Sequence, residues 1–300
     1  MKSVDKNLLS PAIIAPMYLS PRVLLSIDYE PWFALFRRYD SLTDPHQRRA
    51  LDGGFTLRAL DPILSLLGEA KASFYLVGEI ADWYPEVPQR IAAAGHELGL
   101  HCHTHRPLKN INELAQDIRA SAHWLRQYHV RGYRAPMVGI HEAAYQLLAD
   151  SGFAYSSSIY APAGVLLKKG SVWEIPVSTT AAPHNGGYAA PRDFTLNLLL
   201  KGEFPYGSSF SIGILGGQIF KLIERDLKRG LSPSIILHPY ELVTPPLSAR
   251  LTRDLILNPH LLPFRRNKAG FLKALLERFP VSPLGAYLDE ALASQGQVNA

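Results

Sequence analysis

The sequence predicts an α/β fold built on a parallel sheet. Strand-like apolar runs alternate with amphipathic helical segments along the whole chain, which is the pattern of successive βαβ units. About seven such units can be counted, a number that suits a closed (β/α) barrel, with a doubly wound open sheet as the alternative. The 300 residues are 47% hydrophobic, enough for one large core. No internal repeat, low-complexity linker or composition shift divides them. A single domain over residues 1–300 is expected, with 1–20 and 294–300 peripheral.

The elements follow in order. Val23 to Ile27 reads as a buried strand ending at Asp28. Thr56 to Glu69 has helical apolar spacing, and Ala72 to Val77 is rich in β-formers. Pro85 to Ala94 reads as a helix with proline in its first turn. Glu97 to His101 is a third strand. Asn112 to Tyr128 is a helix with Leu114, Ile118, Ala122 and Leu125 on one face. Gly132 to Arg134 is a short strand closed by Pro136, and Glu142 to Asp150 is a helix stopped near Gly152. Phe153 to Tyr160 and Val172 to Val177 read as strands, Ile212 to Arg229 as one helix, and Ser234 to Leu237 as a late strand. Lys268 to Phe279 and Ala286 to Ala293 read as helices. Thr179 to Ser211 is expected to be a long loop, and the tail after Ser294 is expected to fray.

Composition excludes several classes. Net charge is +5 and the isoelectric point is near 9.2, with lysine and arginine spread along the chain. An anionic membrane surface or an acidic substrate is compatible with that balance, although a solvated basic surface is the plainer reading. No basic stripe interleaved with aromatics argues for nucleic acid. The one cysteine, Cys102, rules out an intrachain disulfide and fits a reducing compartment. Met1 to Ser20 contains no apolar core of the signal-peptide kind, and no run is long enough to span a bilayer. A cytoplasmic location is expected, with peripheral membrane contact allowed.

The chemistry concentrates at predicted strand ends. Asp28 and Glu30 follow the first strand, His101 ends the third, Arg134 the fourth and His238 the last long one. In a barrel these ends converge on one face. Asp28 and Glu30, two apart, point to the same side of extended chain. One carboxylate with two histidines is a hydrolytic zinc ligand set, and a second carboxylate is then free to serve as a base. The run from Gly95 to Pro107 supplies the H-x-x-x-H pair His101 and His105. Cys102 and His103 lie between them and stand as alternative ligands. A zincin motif fails because Leu100 occupies the place of its second histidine. Arg134 can orient a carboxylate, and His238 can act as an acid near neutral pH.

Taken together, these residues resemble the NodB-like polysaccharide deacetylase family of carbohydrate esterases over roughly residues 22 to 280, closest to its exosortase-associated subgroup. The resemblance rests on Ile27-Asp28-Tyr29-Glu30, on Gly95 to His105, on Arg134-Ala135-Pro136 and on Leu237-His238, in that order. It implies a distorted (β/α) barrel and metal-dependent removal of N-acetyl groups from amino sugars. Lipid-linked sugars, and a catalytically silent carbohydrate-binding relative, are the alternatives. It assigns Asp28 as base, Glu30, His101 and His105 as ligands of a divalent metal, most simply Zn2+, Arg134 as the orienting group and His238 as acid. Pro136 and Met137 would border the substrate, with backbone near Met137 donating to the oxyanion. Tyr29, Trp32, Trp173 and Tyr240 would stack on sugar rings. The chain departs from the family's pattern in two places. An Asp-x-Glu replaces adjacent aspartates, and Ser156 stands where an aspartate is expected, with Glu174 as its substitute.

Overall fold

The computed structural model describes residues 12–14, 19–108, 110–184, 187–245 and 249–298. Most of the N-terminal segment read above as Met1 to Ser20 lies outside them. Among the described residues there are twelve strands: β1 (Ala12–Ile14), β2 (Val23–Tyr29), β3 (Ser73–Leu76), β4 (Glu97–Leu100), β5 (Gly132–Tyr133), β6 (Tyr155–Ser156), β7 (Tyr160–Pro162), β8 (Val165–Lys169), β9 (Val172–Glu174), β10 (Val177–Thr179), β11 (Ser234–Leu237) and β12 (Val281–Ser282). The main sheet runs β1-β8-β9-β6-β5-β4-β3-β2-β11, with β12 on the start of β2. From β9 to β11 every neighbouring pair is parallel, so the seven-stranded parallel core matches the expectation. The antiparallel extension through β8 and β1 was not foreseen.

Alternation along β2 explains why it builds a site. Leu25, Ile27 and Tyr29 join the large outer core beneath the helices, whereas Leu24 joins a separate cluster inside the curl. Ser26 and Asp28, in the same phase as Leu24, therefore face inward. The helix Leu284–Val298 closes the bottom of the curl. Its Leu284, Tyr287 and Leu288 pack with Leu24, Tyr75, Tyr155 and Trp173. Its first turn is pinned by Glu97, which accepts from Gly285 N (3.0 Å) and Ser73 Oγ (2.5 Å). The tail after Ser294 stays helical to Val298, because the packed first turns carry the helix on.

The curled sheet is closed by a backbone stitch. Strands β6 and β9 continue past a kink as the parallel pair β7 and β10. Gly207 N donates to Ser178 O on β10 (2.9 Å), and Ile236 N on β11 donates to Gly207 O (2.9 Å). A Cβ at Gly207 would lie 2.2 Å from Ser234 O, so only glycine fits.

Three readings need correction. Phe153 to Tyr160 and Val172 to Val177 are each two strands, because the pair is bulged between Ser156 and Tyr160. Ile212 to Arg229 is two helices, Ser209–Leu215 and Ile219–Lys228, broken where Gly216 takes a left-handed φ of 53°. The expected loop from Thr179 to Ser211 contains the helix Leu196–Leu200. Gly207→Ala is expected to destabilise the fold by about 1–3 kcal/mol through forced overpacking, measured by urea unfolding, with an unchanged midpoint arguing against the stitch.

Candidate active site

The upper ends of β2, β4, β5 and β11 bring six of the sequence-predicted residues together: Asp28, Glu30, His101, His105, Arg134 and His238. Asp28, Glu30, His101, His105 and Arg134 are buried. His101 Nε2 lies 3.4 Å and His105 Nε2 2.9 Å from Glu30 Oε2. These three residues can offer ligand atoms all within 4.8 Å of one another, the one such group among the described residues. His101 Nδ1 lies 2.9 Å from the Arg134 carbonyl. As a donor to that carbonyl it fixes the tautomer and leaves the Nε2 lone pair facing Glu30, the usual arrangement behind a metal-ligating histidine.

Glu30 itself tests whether a cation fits. Its Oε1 accepts from Tyr240 Oη at 2.7 Å, whereas the buried Oε2 faces only the two imidazole nitrogens, without hydrogen-bond geometry to either. Burial would raise its carboxyl, but the facing His105, His101 and His238 hold it well below the usual range. A buried ionised carboxylate with an unanswered oxygen and two imidazoles around it is a donor set that a divalent cation satisfies. Cys102 points away into the core and His103 bonds Ser121 Oγ and Asp117, so the structure brings neither into this cluster.

Asp28 stands beside the cluster, its Oδ2 3.8 Å from His101 Nε2. Arg134 holds it: Nη1 donates to Asp28 Oδ1 and to Ser26 Oγ, each at 2.7 Å. Nε donates to Ser157 O (2.8 Å) and Nη2 to Ser157 Oγ (2.6 Å). The guanidinium lies 4.2 Å over the Tyr75 ring. These contacts fix the fork on every side and leave Asp28 Oδ2 facing the cleft.

His238 closes the other side, with Nε2 3.8 Å from Glu30 Oε1. Its Nδ1 lies 3.2 Å from Glu241 Oε2 and 3.1 Å from Ser209 Oγ. Glu241 is buried and takes Lys268 Nζ at 2.7 Å. Burial would pull the His238 imidazole down, but Glu241, then Glu30 and Asp28, raise it to about 9. Sequence reading missed Glu241 and Lys268. His238-Pro239-Tyr240-Glu241 has the spacing of a helix capping box, and Glu241 Oε2 does accept from His238 N (2.8 Å). That spacing was the available signal for Glu241; Lys268, 27 residues on, left none.

The aromatic expectations are corrected. Tyr29 faces outward and donates to Thr56 O. Trp32 is buried in a nest of edge contacts with Phe33, Phe36 and Tyr39. Trp173 sits at the bottom of the curl, against the closing helix. Tyr240 is at the site but buried, stacked on His238 (5.1 Å) and bonded to Glu30. None of the four offers a free ring face to a sugar. Pro136 is buried at the rim and Met137 is 50% exposed there. Met137 and Val138 both have left-handed backbone (φ 58° and 55°), a strained turn of the sort found at functional sites. Glu174 is no partner of His238. It accepts from Ser158 N (2.6 Å), Ile159 N (3.2 Å) and Tyr145 Oη (3.0 Å), capping the bulge that bends β6 into β7. Ser156 bonds Ser158 Oγ beside it.

Comparison with known proteins bears on one segment of the chain and on the fold. Residues 57–156 match the family model "Polysaccharide deacetylase". A segment of 59 residues is 39% identical to a peptidoglycan-N-acetylglucosamine deacetylase of Bacillus cereus, covering 20% of this chain and 21% of that protein. The chain thus spans about a fifth of the length of the curated relative it matches. A crystal structure from Mycobacterium smegmatis, assigned by name to the polysaccharide deacetylases, superposes with a TM-score of 0.52 at 18% identity, over 92% of this chain and 97% of that one. The crystal structure of the allantoinase PuuE superposes with a TM-score of 0.50 at 14% identity, over 90% and 91%. These two likenesses establish the fold and leave the substrate to be argued from the site. The family-model match covers a third of the chain, residues 57–156, so that this segment resembles the polysaccharide deacetylase family on a fold that both solved structures share.

Proposed function

We propose that the protein is a metal-dependent hydrolase that removes N-acetyl groups from amino-sugar residues of a polysaccharide or glycan precursor. The observation that carries this reading is the Arg134-held Asp28 beside the Glu30, His101 and His105 cluster, with His238 opposite. The family of the matched segment supports an amide-bond hydrolase. The exosortase-associated subgroup is the finer assignment within this proposal. A reducing, cytoplasmic setting is part of the proposal, supported by the buried free thiol of Cys102. Among the described residues no helix is long and apolar enough to cross a membrane.

Glu30, His101 and His105 would hold the metal, most simply zinc. When bound, it supplies Lewis-acid polarisation of the acetyl carbonyl and lowers the pKa of water toward neutrality. Asp28 takes the proton from the attacking water through the oxygen that Arg134 leaves facing the cleft. The Met137 N–H would donate to the developing oxyanion. His238 protonates the departing amine through Nε2, while Glu241 holds its Nδ1. Lys268 neutralises Glu241 and keeps it in place.

Metal content by mass spectrometry is expected to give about one ion per chain in wild type and a loss of that ion in His101→Ala. No metal in wild type after reconstitution would remove the mechanism. Asp28→Asn is expected to keep the metal and lose roughly 100- to 10,000-fold in turnover on an N-acetylated chito-oligosaccharide, read as released amine. Equal activity in this variant and wild type would refute the base assignment. Metal binding without amine release in wild type would favour a silent carbohydrate-binding relative. Glu241→Ala is expected to lower kcat by about 10- to 100-fold with metal content unchanged, because the acid loses the group that orients it. Unaltered kcat would leave Glu241 a purely structural cap.

A further inference from the structure

Nine of the eleven exposed large hydrophobics among the described residues fall between Phe194 and Leu262. Phe194 lies just before the helix Leu196–Leu200, and the rest lie on that helix, on Ser209–Leu215 and Ala249–Leu257 and at the start of Leu262–Arg265. Leu196 is 70% exposed, Leu200 76%, Ile256 73% and Leu262 52%. Exposed leucines scattered singly need no explanation, but a cluster of them does.

The cluster is continuous with the mouth of the site. Phe194 touches Phe210 (6.1 Å between ring centroids), Phe210 touches Phe264 (5.4 Å), and Phe264 meets His238 edge-on (6.0 Å). The helices that carry these rings are tightly apposed, since a Cβ on Gly213 would lie 2.0 Å from Pro263 O. Leu198 anchors the outer helix by packing with Tyr160 and Val138, next to the rim residue Met137.

The charge around this face is one-sided. Lys201, Arg253 and Arg266 are exposed there, against Asp193 alone among the described acidic side chains of the same segments. Asp254 is buried and bonded by Arg38 and Tyr39, and Glu203 is buried and bonded by Arg192 and Thr179. Exposed apolar side chains on segments whose exposed charge is mostly positive match the two layers of an anionic bilayer, hydrocarbon below and negative headgroups above. The net charge of +5 has the same sign.

We infer that the face formed by Phe194, Leu196, Leu199, Leu200, Ile256 and Leu262 docks on an anionic lipid bilayer and holds the mouth of the site at the membrane surface. This deepens the reading above, on which it rests, by making the substrate an acetylated amino sugar presented at a membrane.

The test is flotation of the full chain with vesicles of phosphatidylcholine alone and of phosphatidylcholine mixed with phosphatidylglycerol. Wild type is expected to float with the mixed vesicles and to be released by salt. The Leu196→Ser, Leu200→Ser double variant is expected to lose about tenfold or more of that binding. Both positions are largely exposed, so folding, metal content and release of amine from a soluble acetylated sugar are expected to be kept. Equal flotation of the two proteins, or flotation of neither, would overturn the inference. So would a wild-type dimer that the variant abolishes without any vesicle binding, because a second copy would then cover the face. Vesicle binding without amine release from any soluble sugar would count against the catalytic proposal and leave the docking intact.

Discussion

A guanidinium shut away from water costs several kcal/mol unless it is answered on every side, and Arg134 is fully buried inside the curl. Its neighbours answer it one by one: Asp28 and Ser26 from β2, the Ser157 backbone and hydroxyl from the bulge, and the Tyr75 ring from β3. The partners come from three separate parts of the curl, so the pairing holds only when the staves are in register. The Arg134 carbonyl also receives His101 Nδ1. A single residue thus aims the proposed base with its side chain and a proposed metal ligand with its backbone. The bulge that presents Ser157 is itself held by Glu174, so the acidic residue that seemed a substitute in the chemistry serves the scaffold of Arg134.

The other half of the cleft is organised by charge alternation. Lys268, Glu241, His238 and Glu30 form a line of opposite signs leading from the core to the cluster. Burial alone would discharge the imidazole, and the two carboxylates reverse that. The stacked Tyr240 ring keeps His238 from turning while its hydroxyl fixes Glu30. One aromatic side chain therefore couples the proposed acid to the carboxylate proposed to bind metal.

Much of this was legible in the chain because strand ends are legible. Asp28, Glu30, His101, Arg134 and His238 each end an apolar run, and a parallel sheet gathers such ends on one face. The residues that support them were less visible. Ser26, Ser157 and Lys268 look like ordinary polar positions, and their role depends on partners from distant segments. The aromatic neighbours misled for a related reason. Adjacency in sequence to a site residue says nothing about side when the chain is extended, and Tyr29 is on the opposite face from Asp28 and Glu30. Trp173 lies at the wrong end of its strand, a matter of direction that composition does not reveal. The two-stranded closure through Gly207 escaped because one residue makes the link, with no strand-length pattern around it.

The way the curl is closed has a consequence for how the molecule comes into being. The strand that carries Asp28 finds its partner β11 only across some two hundred residues; Ser26 Oγ bonds Ile235 O at a separation of 209. The bottom is sealed later still, where Leu284 N meets Ser73 Oγ at a separation of 211. The three proposed ligands, by contrast, all lie within the first 105 residues, just after strands linked by the β2–β3–β4 run. Long-range pairings are slow to form, and a cation binds wherever its ligands first meet. If Glu30, His101 and His105 hold a metal as proposed, the cluster captures it during folding before the proposed acid from β11 arrives, so that loading precedes competence and the half-built barrel gains an early anchor on which the remaining staves assemble.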